Sequence, residues 1–151
     1  MFTFDWVLVD KLALGPCPLK ERHVEILKRN NIQSILSLCS EEEAKSPLSM
    51  KNQFICERIV LPDHKYKEVL TMQQINEALV LLQSLMSNGP VFVHCKASVE
   101  RSPLICMAWL VKKCNLNNFE ALDYLMQIHP ITNPLPNQFE LLKDLKDNLN
   151  K

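Results

Sequence analysis

The sequence predicts a single three-layer α/β domain in which a short, mainly parallel central sheet is flanked by helices. Two observations support this fold class. Short apolar runs typical of strands alternate with longer segments whose apolar residues recur at helical spacing. One short run, residues 91–93, is apolar at every position, as expected for a strand covered by helices on both faces. The chain has 151 residues, 47% of them hydrophobic, which suits one packed domain over residues 1–151.

The predicted strands and helices are short and follow one another closely. Two edge strands, closed by Gly15 and Pro16, precede a helix that starts at Pro18 and ends at the turn-forming pair Asn30 and Asn31. We expect strands over residues 6–9, 12–14, 32–38, 54–61 and 91–93. We expect the later helices to begin near Thr71, Pro103, Phe119 and Asn137. Because strands and helices alternate along the chain, the helices can pack on both faces of the sheet.

The helix that starts near Thr71 has the clearest boundaries in the sequence. Thr71 and Gln74 form a capping-box pattern, in which each side chain bonds the backbone of the other residue. Asn88, Gly89 and Pro90 supply a left-handed stop and a residue that cannot continue a helix. We therefore predict a helix that ends shortly before the central apolar strand.

Composition and charge narrow the possible function classes. Lys plus Arg and Asp plus Glu both total 17, so we expect no basic face for nucleic acid or for an anionic membrane. The first residues lack a basic leader and a long apolar stretch, and no run reaches the length of a membrane span. The six cysteines lack the close spacing of metal ligands, and we expect reduced thiols. These features predict a cytoplasmic protein.

A polar stretch over residues 40–47 carries a run of three glutamates. Charge runs of this kind usually form a solvated surface. We interpret the stretch as a solvated loop or the start of a helix rather than as part of a binding site.

The segment from His94 to Ser102 combines residues that can bind an oxyanion and attack it. Its loop begins with Cys95, ends with Arg101 and joins the apolar strand to an apolar helix. Backbone N–H groups of such a loop converge at the helix N-terminus, where the helix dipole favours negative charge. Arg101 can hold two phosphate oxygens, and the same field favours the thiolate form of Cys95. The segment therefore predicts a phosphate site with a cysteine nucleophile at its floor.

The order His94, Cys95, five residues, Arg101 and Ser102 resembles the signature of the protein tyrosine phosphatase superfamily, and the chain is most similar to its dual-specificity branch. The resemblance extends over nearly the whole chain. It implies hydrolysis of phosphate monoesters through a phosphocysteine intermediate, with no metal and no cofactor. It also implies that Ser102 hydrogen-bonds the sulfur and helps it leave, and that His94 braces the loop. Ser102 also suits an ordinary helix N-cap.

Attack on a phosphate ester needs a proton donor, because an alkoxide or aryl oxide is a poor leaving group. Asp63 is the best candidate. It follows a predicted strand end and a proline, and it lies 32 positions before Cys95, similar to where the dual-specificity family carries its acid. An ordinary turn is the alternative role for an aspartate after proline. The acidic residues Asp5, Asp10 and Asp123 have no comparable context.

Six loop residues are expected to contact the substrate phosphate: Lys96, Ala97, Ser98, Val99, Glu100 and Arg101. The family usually has glycine where this chain has Ser98, and a non-glycine residue in a left-handed conformation costs roughly 1–2 kcal/mol. We expect the loop to survive this cost, with a slower reaction if the serine displaces an N–H group. Gln138 resembles a glutamine that some relatives place near the active site, with an exposed helical glutamine as the alternative.

The substrate class stays open between several phosphate esters. Phosphotyrosine, phosphoserine or phosphothreonine in proteins is the leading class. A phosphoinositide, a phosphoglucan or an RNA 5′ phosphate is an alternative, as is a phosphate-recognising binding module with little turnover. Rhodanese-like sulfurtransferases and arsenate reductases also use cysteine loops, but the upstream acid and the Arg101–Ser102 ending favour a phosphatase. Lys65 and Lys67 flank the acid, either as surface lysines or as attractors of an anionic substrate.

Overall fold

A five-stranded sheet forms the centre of this computed structural model, which describes residues 1–65 and 68–149. In chain order, the strands are β1 (Asp5–Leu8), β2 (Leu12–Gly15), β3 (Ser34–Ser37), β4 (Ile55–Arg58) and β5 (Val91–His94). The sheet order is β1-β2-β5-β3-β4, with an antiparallel β1–β2 pair and parallel pairs elsewhere. The predicted mainly parallel sheet is confirmed.

Helices cover both faces of the sheet. They are α1 (Glu21–Arg29), α2 (Met50–Gln53), α3 (Met72–Met86), α4 (Arg101–Lys113), α5 (Asn118–Ile128) and α6 (Pro136–Leu149). On one face, Val24 and Met50 share a buried cluster with Phe92 of β5. On the other face, Val91 and Val93 belong to a larger cluster with residues of α3, α4, α5 and α6. The predicted three-layer arrangement is therefore confirmed. Within the described residues, no helix is both long and apolar enough to cross a bilayer.

The centre of the fold is the pair β5 and α4. All four residues of β5 are buried, and so is every residue of α4 as far as Val111. Full burial of one aliphatic or aromatic side chain stabilises the folded state by about 1.5–3 kcal/mol, so both elements are firmly fixed. The loop between them is therefore held in place at the carboxyl edge of the sheet.

The strand predicted over residues 54–61 differs from the one observed. β4 has only four residues, and the unpredicted single-turn helix α2 precedes it. Beyond β4 the chain stays beside the segment after β3, because Leu61 N donates to Leu38 O at 3.0 Å. This contact places Asp63 near the same carboxyl edge of the sheet as the loop after β5.

The predicted boundaries of α3 are confirmed. Thr71 Oγ1 accepts a hydrogen bond from Gln74 N at 3.2 Å, and Gln74 Oε1 accepts one from Thr71 N at 3.0 Å. Gly89 has a φ of 124°, a conformation that side-chain-bearing residues rarely adopt. The chain can therefore leave α3 and turn directly into β5.

Candidate active site

The loop between β5 and α4 is tied to neighbouring segments by backbone hydrogen bonds. Cys17 N donates to Lys96 O at 3.1 Å, and Asn133 N donates to Val99 O at 2.8 Å. The first bond joins the loop to the segment after β2, and the second joins it to the segment between α5 and α6. A loop fixed in this way can present its N–H groups to an anion without rearranging.

Cys95, the predicted nucleophile, is the first residue after β5. It is buried, and its Sγ lies 3.4 Å from the Oγ of Ser102. The Ser102 hydroxyl can donate to the sulfur when the cysteine is a thiolate. Ser102 is the second residue of α4 and Glu100 is the N-cap, so the N-cap alternative for Ser102 is wrong.

His94 is buried at the end of β5 and makes two ring contacts. Its Nδ1 lies 3.0 Å from the carbonyl oxygen of Cys95, which can only accept, so Nδ1 donates. Its Nε2 lies 2.7 Å from Ser37 Oγ, which can donate in return. The ring therefore links the loop to β3, as the predicted bracing role requires.

Ser98 adopts the left-handed conformation that the family resemblance assigns to a glycine. Its φ is 61°, and its side chain is fully buried. The hydroxyl lies 2.9 Å from Ser102 Oγ and 3.2 Å from His129 Nε2. The serine side chain thus points into the protein below the loop, where it has polar partners.

Arg101 forms a buried ion pair with Glu43. Its Nη1 and Nη2 lie 3.0 and 2.5 Å from the two carboxylate oxygens, and Nη1 also donates to Leu61 O at 3.3 Å. Burial alone would lower the pKa of Arg101, but the carboxylate of Glu43, helped by Cys95 and Asp63, raises it above the ordinary value. The guanidinium is thereby fixed in both position and charge.

The interpretation of residues 40–47 as a solvated surface is wrong for Glu43. Its side chain is only 12% exposed in the ion pair, whereas Glu41 and Glu42 are exposed. The stretch follows β3, whose carboxyl end lies beside that of β5. Sheet order, which charge patterning does not reveal, therefore brings this glutamate to Arg101.

Asp63, the predicted acid, shares a cleft of about 420 Å³ with Cys95 and Arg101. The Asp63 side chain is 13% exposed, and its Oδ1 accepts a hydrogen bond from His64 N at 2.7 Å. The same oxygen lies 2.6 Å from His64 Nδ1. Lys65 also lines this cleft, whereas Lys67 lies outside the described residues.

Glu100 lies between His64 and Gln138. Its Oε2 is 3.0 Å from His64 Nδ1, and its Oε1 accepts from Gln138 Nε2 at 2.7 Å. Gln138 is buried rather than exposed, and its Oε1 accepts from Leu135 N at 3.0 Å. Asp63, His64 and Glu100 offer ligand atoms within 4.8 Å of one another, an arrangement that the hydrogen bonds of the His64 ring explain. Gln138 therefore supports the loop through Glu100.

The remaining predicted loop residues face the opening of the cleft. Lys96 and Ala97 are exposed, and Val99 is half-buried. All three line the cleft together with Asn133 and Leu135 of the segment before α6. The cleft thus combines the cations of Lys65 and Lys96 with small, polar and apolar side chains.

Two residues beneath the loop were not identified from the sequence. His129, the C-cap of α5, lies with Nε2 2.7 Å from Ser98 O and with Nδ1 2.7 Å from Asp5 Oδ2. Asp5 belongs to β1 and is separated from His129 by 124 positions. A histidine followed by proline is an ordinary helix ending, so the sequence carries no signal for this contact.

The described cysteines are all free thiols, and two of them form a pair next to the loop. Cys17 and Cys39 are buried, and they share a small cluster with Ala44. The interaction between these two thiols lowers the pKa of Cys17 to about 7 and raises that of Cys39. Ser46 Oγ, 3.5 Å from Cys17 Sγ, further favours the Cys17 thiolate.

The sheet, the loop between β5 and α4, and the cysteine and arginine at its two ends define the class of cysteine-based, phosphate-binding α/β domains. Residues 14–148 match the family model described as "Dual specificity phosphatase, catalytic domain". The chain therefore belongs to the dual specificity phosphatase family.

Curated relatives agree with this family. The chain is 28% identical over 124 residues to dual specificity protein phosphatase 2 of Mus musculus, covering 82% of this chain and 37% of the relative. It is 46% identical over 46 residues to dual specificity protein phosphatase 5 of Homo sapiens, covering 30% of this chain and 12% of that relative. Phosphatidylglycerophosphate phosphatase PTPMT2 of Arabidopsis thaliana is 22% identical over 141 residues, with coverages of 92% and 61%. The chain thus spans less than two thirds of these relatives.

Solved structures share the fold at low sequence identity. PTPMT1 in complex with PI(5)P has a TM-score of 0.83 and 21% identity, covering 97% of this chain and 96% of that one. The human tyrosine phosphatase-like serine/threonine/tyrosine-interacting protein has a TM-score of 0.81 and 18% identity, covering 98% of both chains. At these identities the likeness concerns the fold.

Proposed function

We propose that this chain hydrolyses phosphate monoesters through a phosphocysteine intermediate, and that residues 1–151 form one catalytic domain. The observation that carries the proposal is the single cleft that brings together the Cys95 thiol, the Arg101 guanidinium and the Asp63 carboxyl group. These are a nucleophile, a phosphate clamp and a proton donor, which are the groups that displacement at phosphorus needs. The proposed steps use side chains and backbone N–H groups of this chain, together with water.

In the first step, the Cys95 thiolate attacks phosphorus and the bond from phosphorus to the ester oxygen breaks. Protonated Asp63 gives its proton to the departing oxygen, so that an alcohol leaves. Arg101 and the N–H groups of residues 96–101 hold the phosphate oxygens during the transfer. The product is phosphocysteine, with Asp63 now a carboxylate.

In the second step, water attacks the phosphocysteine and Asp63 takes the proton that the water loses. The bond from sulfur to phosphorus breaks, inorganic phosphate forms, and the electron pair returns to the sulfur as a thiolate. Ser102 donates a hydrogen bond to the departing sulfur over the observed 3.4 Å. Asp63 and Cys95 have then recovered their starting protonation states.

Phosphorylated proteins are the proposed substrates, with phosphate on tyrosine, serine or threonine. The support is the family model and the protein phosphatases among the curated relatives. The exposed Lys96 at the entrance also suits an anionic ester. We propose a cytoplasmic location for the activity, because the described cysteines are free thiols, as expected in a reducing compartment.

A lipid phosphate is the second candidate substrate. PTPMT2, named a phosphatidylglycerophosphate phosphatase, aligns with 92% of this chain, compared with 82% for dual specificity protein phosphatase 2 of Mus musculus. A phosphate-binding module with little turnover is a third candidate, favoured by the left-handed serine at position 98. The phosphoglucan and RNA alternatives have no comparable observation in their favour.

The first test compares the wild type with Cys95→Ser on para-nitrophenyl phosphate. We expect turnover by the wild type and only background hydrolysis by the variant. Equal and negligible rates would contradict the enzyme proposal and favour the binding module. Asp63→Asn is expected to lower kcat by ~10²–10⁴-fold on alkyl phosphates, which need the proton most.

The second test compares substrates. Phosphotyrosine, phosphoserine and phosphothreonine peptides are assayed beside vesicles that contain phosphatidylglycerophosphate or a phosphoinositide, with release of inorganic phosphate as the readout. A higher kcat/KM for the peptides supports the protein substrate class. A preference for vesicles contradicts it and supports the lipid candidate.

A further inference from the structure

A continuous row of polar side chains runs from β1 to the sulfur of Cys95. Asp5 Oδ2 lies 2.7 Å from His129 Nδ1, and His129 Nε2 lies 3.2 Å from Ser98 Oγ. Ser98 Oγ lies 2.9 Å from Ser102 Oγ, which lies 3.4 Å from Cys95 Sγ. Four of the five residues are buried, and only the Asp5 side chain, 42% exposed, reaches the surface.

The partners of His129 determine the direction of the hydrogen bonds. Asp5 offers a carboxylate, which accepts, so Nδ1 donates. Nε2 lies 2.7 Å from the carbonyl oxygen of Ser98, which also only accepts, so Nε2 donates as well. Both ring nitrogens of His129 therefore face acceptors, and the Asp5 carboxylate lies beside Nδ1.

The bonds beyond His129 can then all point towards the sulfur. The Nε2 proton is shared between the carbonyl oxygen and the hydroxyl oxygen of Ser98, and both accept. The Ser98 hydroxyl proton can therefore be donated to Ser102 Oγ. Ser102 in turn donates to Cys95 Sγ, whose thiolate is the acceptor at the end of the row. Hydrogen bonds arranged head to tail strengthen one another in a buried environment.

We propose that Asp5, His129 and Ser98 are positioning residues that orient the Ser102 hydroxyl towards Cys95 and thereby stabilise its thiolate. The proposal rests on the proposed phosphatase function, in which this thiolate is the nucleophile and later the leaving group. It gives the side chain of Ser98 a role that glycine cannot fill. The same histidine also donates to the Ser98 carbonyl oxygen, which holds the left-handed residue in place.

The decisive variants are Ser98→Gly and Ser98→Ala, because both remove the hydroxyl while only glycine removes the backbone strain. We expect Ser98→Gly to unfold at a higher temperature than the wild type and yet to hydrolyse its phosphocysteine about tenfold more slowly, which equals about 1.4 kcal/mol. Ser98→Ala should show the same slow step. A burst of para-nitrophenol in rapid-mixing experiments separates this step from formation of the intermediate. Hydrolysis at the wild-type rate in Ser98→Gly overturns the proposal.

Coupling between the members of the row provides a second test. His129→Ala should slow phosphocysteine hydrolysis to the same extent as Ser98→Gly, and the double variant should be no slower than either single variant. His129→Gln, which keeps one side-chain N–H group, should restore part of the rate. Additive losses in the double variant contradict a shared hydrogen-bond row. Nitrogen NMR of the wild type should show protons on both ring nitrogens of His129.

A chemical measurement keeps the inference separate from the proposed function. Iodoacetamide reacts with thiolates, so its rate at a pH below the midpoint of the wild-type alkylation profile reports the thiolate fraction of Cys95 even in a chain without turnover. We expect several-fold slower alkylation of Cys95 in Ser98→Gly and His129→Ala. The exposed Cys114 serves as the internal control and should react at an unchanged rate. Equal alkylation rates of Cys95 in all variants overturn the proposal, whereas slower rates without any turnover contradict only the phosphatase function.

Discussion

At the scale of single residues, Arg101 is held by a bidentate ion pair with Glu43 and by the carbonyl oxygen of Leu61. Both carboxylate oxygens of Glu43 accept hydrogen bonds from the guanidinium. Only 4% of the arginine side chain and 12% of the glutamate side chain are exposed. Removing one member of a buried ion pair leaves the other charge uncompensated. In the proposed reaction, Glu43 therefore sets the orientation of the Arg101 guanidinium towards the phosphate.

Glu43→Gln is expected to lower kcat/KM for para-nitrophenyl phosphate by about 10- to 100-fold, because a displaced clamp spoils the alignment of the phosphate. Steady-state kinetics provides the measurement, with circular dichroism to verify folding. Glu42→Gln changes an exposed neighbour and should retain wild-type kinetics. A folded Glu43→Gln variant with unchanged kcat/KM would contradict this role.

The Cys17–Cys39 pair predicts a pH dependence of stability. Cys17 has its pKa lowered from 9.0 to about 7 in the folded state, mainly by its interaction with Cys39. Between these values the unfolded chain holds more protons than the folded one, so the contribution of this group to stability grows as pH rises from 7 to 9. The contribution is lost as pH falls through 7.

Cys39→Ala should reduce the increase of the free energy of unfolding with pH. Urea unfolding under reducing conditions measures it at pH 6.5 to 9, a range that spans the folded and unfolded pKa values of Cys17. Cys106→Ala is the matched control, because Cys106 is equally buried and is not among the groups that shift the pKa of Cys17. The control should be less stable at every pH but keep the wild-type slope. An unchanged slope in Cys39→Ala would show that the pair does not cause the dependence.

At the scale of elements, local signals predicted the helices better than the strand ends. The capping box of α3 and the glycine after it are set by neighbours in the sequence, and both are observed as predicted. The four-residue α2 is too short to show a helical period, and the end of β4 depends on its pairing with β3. Elements whose limits depend on distant partners were therefore predicted less well.

Thr71→Ala is expected to reduce the free energy of unfolding by about 1 kcal/mol, because it removes the acceptor for Gln74 N at the start of α3. Thermal or urea unfolding measures the loss. Thr71→Ser keeps the hydroxyl and should remain close to the wild type. Since Thr71 is exposed and does not line the cleft, kcat should be unchanged in both variants, and a parallel loss of kcat would contradict a purely local effect.

At the scale of the whole molecule, an anion that binds the loop should stabilise the entire fold, since the loop is joined to both β5 and α4. Inorganic phosphate at 100 times its Kd is expected to raise Tm by about 5–10 °C, from about 2.7 kcal/mol of binding linkage. Arg101→Lys keeps the charge but loses the planar fork, so most of this shift should disappear. Arg22→Lys, at an exposed position on α1, is the control. An equal shift in Arg101→Lys would contradict the assigned clamp.

The sequence by itself determined the fold class and the loop that has a cysteine at one end and an arginine at the other. Cys95, Arg101 and Ser102 lie in one short segment between a buried strand and a buried helix, so chain connectivity alone brings them together. Only the tertiary structure decided the partners that hold them. Glu43 meets Arg101 across 58 positions because the sheet places β3 beside β5. Asp5 meets His129 across 124 positions because α5 packs against β1. Such contacts depend on strand order and packing, which neither composition nor local spacing encodes.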